Sequence, residues 1–184
     1  MNGGLMLTSL AGGLGQPSDR FDVGVPRHLM GATTTAAFTA NTVYLFRFQL
    51  NRPLLVTKMG TRTGATIVAS SVDLGIYSGD ATASLAAASF TRLGSTGPFT
   101  PATSANVETA LTASVALQAG VPYWAGFAIS NATDTILRIS VDSVIMDPGL
   151  WCVGKNAAWS SGLPASLSSV AVVSIFPALS LVTT

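Results

Sequence analysis

Residues 71–77 have the sequence SVDLGIY, the clearest alternation of apolar and polar side chains in the chain. Successive side chains of a β-strand point to opposite faces, so the pattern predicts a strand buried on one face. Asp73 and Gly75 are expected to face outward. The positions expected to face a core are Val72, Leu74 and Ile76. Residues 78–80 (SGD) are typical of a turn and are predicted to end the strand.

Similar strand patterns lie on both sides of this stretch, separated by turn signals about every ten residues. Residues 42–51 (TVYLFRFQLN) are expected to bury an aromatic face and to point Arg47 outward. The other predicted strands are residues 54–62, 90–94, 106–117 in two pieces, 121–129, 135–141, and a last strand over 170–182 that Pro177 interrupts. No helix of ordinary length is predicted. The pattern predicts an all-β fold, a jelly-roll-like antiparallel β-sandwich, over residues 36–184.

Residues 1–35 differ from the rest of the chain, because they are rich in glycine and have no sustained periodicity. They are predicted to form an extended N-terminal arm. A neighbouring subunit would hold this arm in place, or the arm would fold back on its own domain. The arm residues expected to contact a partner are Phe21, Val23, Val25, His28, Leu29 and Met30.

Charged residues make up only 9% of the chain, against roughly 25% in an average domain. A surface so poor in charge indicates that partners cover much of it, and the alternative is an extracellular domain with a Ser/Thr-rich surface. The net charge is +1, and no run of Lys and Arg is present, so nucleic-acid binding is not expected. No apolar run has the length that a membrane span needs, so no membrane partner is expected either.

Few residues in this chain are suited to catalysis. There is one histidine, His28, which excludes a multi-His metal site within one chain, and its isolated position in the arm argues against a His-based catalytic triad. Most aspartates stand in turn-like contexts; Asp80 or Asp134 with loop carbonyls would be a calcium site, but without an ordered ligand spacing. We therefore predict no enzyme activity and no cofactor. Trp159, in the loop sequence AAWSSG, is a candidate for glycan contact.

Four stretches resemble a β-sandwich module found in structural proteins of tailed bacteriophages. They are LLVTKMGTRTG (54–64), SVDLGIYSGD (71–80), TRLGSTGPFTP (91–101) and ETALTASVALQAGVPYWAGFAIS (108–130). The likeness extends over about residues 40–182, and it carries over no catalytic residue. It implies a virion component with a jelly-roll fold that is commonly trimeric, made in the host cytoplasm and located on the capsid surface or in a fibre.

The sequence thus favours a capsid decoration (cement) protein, which stabilises the shell through its arm and its β-sandwich. Its expected partners are further copies of itself, as a trimer, and the major capsid protein or other virion proteins. The alternative is a receptor- or glycan-binding module of a phage head or tail fibre, with Trp159 as the glycan contact. A secreted carbohydrate-active enzyme is disfavoured, because paired ionisable residues are scarce.

Overall fold

The computed structural model describes residues 20–23, 35–68, 70–80, 87–140, 152–156, 162–173 and 175–183. Within these ranges the chain forms fourteen strands and no helix. The strands are β1 (Arg20–Val23), β2 (Thr35–Ala37), β3 (Thr42–Gln49), β4 (Leu54–Arg62), β5 (Val72–Asp80), β6 (Ser89–Ser95), β7 (Asn106–Leu117), β8 (Pro122–Ile129), β9 (Thr135–Ser140), β10 (Cys152–Asn156), β11 (Ser166–Ser168), β12 (Ala171–Val172), β13 (Ile175–Pro177) and β14 (Leu179–Val182).

The strands form two main sheets and one small sheet. The four-stranded sheet has the order β1-β14-β4-β7, and the seven-stranded sheet has the order β11-β6-β5-β8-β3-β10-β12. A small sheet has the order β13-β9-β2. The chain passes back and forth between the main sheets, since β3, β5, β6 and β8 lie in one and β4 and β7 in the other. The predicted all-β, antiparallel β-sandwich is confirmed, and the alternation between sheets is the winding expected of a jelly-roll-like fold.

The main core lies between the two large sheets. Leu74, Ile76 and Phe127 of the seven-stranded sheet are fully buried there, in one cluster with Met59 and Leu181 of the four-stranded sheet. Full burial of such a side chain contributes roughly 1.5–3 kcal/mol of transfer free energy. The sequence places these residues correctly, because the apolar positions of residues 71–77 do face this core.

A second apolar cluster covers the opposite face of the seven-stranded sheet. Its members are Val43, Leu45, Tyr77, Ala88, Phe90, Trp124, Ala128, Val153, Leu163, Leu167 and Val170. Leu163, Leu167 and Val170 come from the chain segment around β11, which packs over the sheet. The central strands of the seven-stranded sheet, β3, β5 and β8, are therefore buried on both faces. The expectation that Asp73 and Gly75 face outward to solvent is wrong, because both residues are buried beneath this segment.

Further sequence predictions differ from the structure. The single last strand predicted over residues 170–182 is three strands, β12, β13 and β14, which lie in three different sheets. Residues 78–80 are not a turn, because β5 continues through them and pairs with β6 as far as Asp80↔Ser89. Residues 106–117 form one strand, β7, rather than two pieces. The pairing of β7 with β4 is interrupted where residues 111–114 of β7 lie opposite Thr57 alone. This bulge lets Val56 and Met59 both face the core, although strict alternation would separate them.

Part of the predicted arm belongs to the sandwich. β1 forms the edge of the four-stranded sheet and pairs with β14 over four residue pairs, from Arg20↔Val182 to Val23↔Leu179. β2 pairs with β9 in the small sheet. Within residues 1–35, the described residues 20–23 thus fold back on their own domain, as in the second of the two alternatives for the arm.

Candidate functional site

The polar groups with the most extensive buried contacts lie on the outer face of the seven-stranded sheet. Asp73 and Tyr77 of β5 and Arg92 of β6 all contact the backbone of residues 162–165. We call these three side chains the clasp. Asp73 and Tyr77 lie on the same face of β5 because they are four positions apart in an extended strand. The clasp joins the middle of the sheet to a segment that is distant in sequence.

The Asp73 carboxylate is fully buried and accepts hydrogen bonds on both oxygens. The Leu163 N–H donates to Oδ2 over 2.7 Å, and the Thr96 hydroxyl donates to Oδ1 over 3.1 Å. Burial raises the pKa of Asp73 above its usual value, although these two hydrogen bonds and the charge of Arg92 act in the opposite direction. Burial therefore disfavours the ionised form of this carboxyl group, and the local hydrogen-bond donors offset part of that cost.

Gly162 allows the chain to approach this carboxylate closely. Its φ is +100°, in the region that favours glycine, and a Cβ at this position would lie 2.4 Å from Asp73 Oδ2. Any side chain here would strain the backbone and displace the carboxylate. The Leu163 side chain packs directly on Gly75 of β5, where a Cβ would lie only 2.7 Å from Leu163 Cδ1.

Arg92 and Tyr77 hold the next residues of the segment. The Arg92 guanidinium donates to the Leu163 carbonyl, and the Arg92 N–H donates to the Ala165 carbonyl over 2.9 Å. The Tyr77 hydroxyl donates to the Pro164 carbonyl over 2.8 Å, and burial raises the pKa of this phenol. The contacts of the clasp are made with main-chain groups and with Thr96. The arrangement is that of a structural brace, in which ionisable side chains satisfy the backbone of a covering segment.

A second buried carboxyl group, Asp134, lies between β8 and β9. Its Oδ1 accepts the Val68 N–H over 2.7 Å, while Oδ2 has no hydrogen-bond partner. Asp134 was one of two positions considered for calcium from the sequence; for the other, Asp80, the side chain is not described. In the described ranges there is no group of three or more His, Cys, Asp or Glu side chains that could hold a metal ion.

The structure places few of the partner-binding residues predicted from the sequence. Phe21 and Val23 lie in β1, where their backbones are paired with Leu181 and Leu179 of β14. The other arm candidates, Val25, His28, Leu29 and Met30, lie outside the described residues, as does the glycan candidate Trp159. The contact roles of all these residues stay predictions.

Sequence reasoning missed the clasp. One signal for it is present, since Asp73, Gly75 and Tyr77 share the face of β5 that was expected to meet solvent. A large aromatic residue on that face indicates burial on both sides of the strand. The partner segment around residue 163 lies 90 positions away from Asp73, and no local pattern connects the two.

In the described part of the chain there is no helix with the length and hydropathy needed to cross a bilayer. No family model matches the chain, and no curated protein matches it.

Proposed function

We propose that this protein is a non-enzymatic structural component of a tailed-bacteriophage virion, a capsid decoration protein that binds the major capsid protein and stabilises the shell as a trimer. The observation that carries the proposal is the surface of β7. Seven of its twelve residues are exposed, and only one of them is charged: Asn106, Glu108, Ala110, Thr112, Ala113, Ser114 and Ala116. Charge depletion of this kind is typical of surface that a partner covers.

An apolar pair marks the centre of the proposed contact. Leu55 of β4 lies directly opposite Ala116 of β7, and its side chain is 51% exposed. An exposed leucine gains free energy when a partner buries it, at about 25 cal/mol per Å² of apolar area. The exposed charged residues of β4, Lys58 and Arg62, lie further along the strand, opposite Ala110 and Asn106. The face formed by β4 and β7 around Leu55 is therefore the proposed capsid-binding face.

The N-terminal segment supports the same proposal. β1 brings residues 20–23 to the edge of the four-stranded sheet. Asp19 is the only charged side chain within residues 1–19. A sequence this apolar and rich in glycine is suited to contact a neighbouring subunit through main-chain and apolar groups.

The clasp is consistent with a structural role rather than a catalytic one. Asp73 and Tyr77 are fully buried, and their hydrogen bonds to the backbone of residues 163 and 164 leave their polar atoms engaged. A general acid or nucleophile must reach a substrate, whereas both of these side chains are fully buried.

The test uses the purified chain and undecorated shells of the same virion. We expect the protein to be a trimer by light scattering and to co-sediment with the shells. Leu55→Glu should abolish co-sedimentation, because a charge would be buried at the contact. The matched control is Val172→Glu, which changes another exposed apolar residue, on β12 at the edge of the seven-stranded sheet that lies away from β6 and β7, and should bind as the wild type does.

A deletion of residues 1–19 tests the arm without removing β1. We expect it to weaken binding while leaving the unfolding transition of the sandwich unchanged. If the wild-type chain does not bind the shells, or if Leu55→Glu and Val172→Glu bind equally well, the decoration proposal is wrong in this form. A trimer that ignores shells would direct the next experiment to glycan binding by a fibre module.

A further inference from the structure

The exposed charges of the described residues are concentrated on one pair of strands. Among the side chains that the structure describes, four charged ones are well exposed: Arg52, Lys58, Arg62 and Glu108. Lys58 and Arg62 belong to β4, Glu108 belongs to its neighbour β7, and Arg52 precedes β4 in the connection from β3. The other cationic side chains that the structure describes are half-buried: Arg47, Arg92, Arg138 and Lys155.

The two cations of β4 lie on the outer face of the four-stranded sheet. Met59 and Thr61 are fully buried, and successive side chains of a strand alternate between faces, so Lys58 and Arg62 point away from the core. Leu55 lies on the same outer face, on the other side of the bulge. At about 3.3 Å per residue, Lys58 lies roughly 10 Å from Leu55, and Arg62 lies roughly 13 Å further along the strand.

Glu108 is the one exposed acidic side chain that the described residues contribute to this face. It lies opposite Gly60, between the positions of Lys58 and Arg62. Its Cγ would lie 3.1 Å from a Cβ on Gly60, so the stem of Glu108 crosses the space that this glycine leaves open. Three exposed cations and one exposed anion give the face a net positive charge, with the apolar Leu55 between Arg52 and Lys58. An apolar centre with a polar margin is typical of a protein–protein contact surface.

We propose that the outer face of β4 and β7 binds an acidic protein surface, which places an apolar residue against Leu55 and carboxylates against Lys58 and Arg62. The inference rests on the proposed function, because the capsid shell would supply this surface. A nucleic acid fits the face less well, since its closely spaced phosphates are bound by dense clusters of cations, and here Leu55 separates the cations. An anionic membrane is likewise bound by clusters of about 4–8 Lys and Arg residues.

The exposed position of these cations determines which step of binding they affect. Charges at the margin of an interface act mainly on the rate of association and on its salt dependence, whereas the buried centre sets the rate of dissociation. The Debye length is about 8 Å at physiological ionic strength and about 3 Å at 1 M salt, so salt screens the attraction between separated charges. We therefore expect association with the shells to be fastest at low salt.

The first experiment tests the partner chemistry without shells. The full chain is passed at low salt over three immobilised probes: poly-L-glutamate, double-stranded DNA and phosphatidylglycerol vesicles. We expect binding to poly-L-glutamate that is lost in about 1 M salt, as charge attraction requires, and weaker binding to the other two probes. The second experiment measures the rates of association with and dissociation from immobilised undecorated shells over a series of salt concentrations.

The variants locate the effect on the molecule. Lys58→Gln combined with Arg62→Gln should slow association with the shells by about tenfold at low salt, and the difference from the wild type should vanish in about 1 M salt. Glu108→Gln removes the negative charge and should speed association. The matched control for Lys58→Gln is Lys155→Gln, because Lys155 lies on β10 of the other sheet, where its Nζ donates to the Ser168 carbonyl. Thermal unfolding of each variant checks that the fold is intact.

The inference is overturned if the wild type does not bind poly-L-glutamate, if it prefers DNA or the vesicles, or if Lys58→Gln and Lys155→Gln weaken the binding of poly-L-glutamate equally. Shells that bind the wild type and the Lys58→Gln, Arg62→Gln variant at the same rate at every salt concentration would also overturn it and would leave the decoration proposal standing. If the wild type does not bind the shells at all, the decoration proposal fails, and the poly-L-glutamate experiment still decides the chemistry of this face.

Discussion

The Leu163 N–H donates a hydrogen bond of 2.7 Å to Oδ2 of Asp73, a residue 90 positions earlier in the chain. This contact joins the segment around β11 to the middle of the seven-stranded sheet. The segment covers a second apolar cluster, so the contact lies where the sheet acquires its second buried face. The chain approaches the sheet closely at Gly162, which leaves the Leu163 N–H inside the protein. The Asp73 carboxylate, rather than another apolar side chain, lies there and accepts this N–H.

Removing the Asp73 carboxylate should destabilise the fold. Asp73→Ala leaves the buried Leu163 N–H without an acceptor, and we expect it to lower the free energy of unfolding by about 2–3 kcal/mol. Asp73→Asn retains an amide oxygen that accepts the same N–H, and it should cost less. Urea unfolding monitored by tryptophan fluorescence measures both values. Equal stabilities of the alanine variant and the wild type would show that this hydrogen bond is not needed.

The stability contribution of Asp73 should depend on pH. Burial raises the pKa of this carboxyl in the folded state above its value of 3.8 in the unfolded chain, so the folded state binds the proton more tightly. The resulting stabilisation is fully present below the unfolded pKa and is lost as the pH rises through the folded pKa. The difference in unfolding free energy between the wild type and Asp73→Asn should therefore shift in favour of the wild type from pH 7 to pH 4. A difference that is constant with pH would contradict this linkage.

Gly162→Ala should destabilise the protein through two separate effects. Its φ of +100° costs of order 1–3 kcal/mol for a residue with a Cβ, and the added methyl group also collides with Asp73 Oδ2. Gly120→Ala is the matched control, because φ is +75° but the nearest atom lies 4.0 Å from the added Cβ. Gly162→Ala should lower the thermal unfolding temperature more than Gly120→Ala does. Equal shifts would mean that only the backbone conformation matters.

Truncating Leu163 should open a cavity above the sheet. Leu163 is buried against Gly75, so Leu163→Ala should cost about 2–5 kcal/mol of unfolding free energy. Leu93→Ala makes the same chemical change at a side chain that is 42% exposed and should cost less than about 1 kcal/mol. Chemical denaturation of the two variants under one condition gives the comparison. A small effect at Leu163 would indicate that the segment contributes little to the fold.

The strands of the core were predictable because their signal is local. In β5 the apolar side chains alternate with period two, and Leu74 and Ile76 face the core as that period requires. In β4 the same rule failed, because the bulge at Thr57 brings Val56 and Met59 to one side. A bulge depends on the partner strand, β7, and nothing in the sequence of β4 alone marks it.

The short strands and the clasp were not predictable in this way. β10, β11 and β12 have five, three and two residues, which is too few to show a period, and they exist because longer strands offer them edges. The charge-poor surface, by contrast, was visible in the composition. The structure adds that Leu55 and Ala116 come together only when β4 pairs with β7.

The sequence by itself determined the class of the fold, since alternation and turn residues act between near neighbours in the chain. It also determined the scarcity of charge that underlies the proposed function. Only the tertiary structure decided that the central strands of the seven-stranded sheet are buried on both faces and that Asp73 lies inside. These features depend on contacts between residues far apart in the chain. The free energy of burying a side chain is set by the segments that pack against its face of the sheet, not by its neighbours in the sequence.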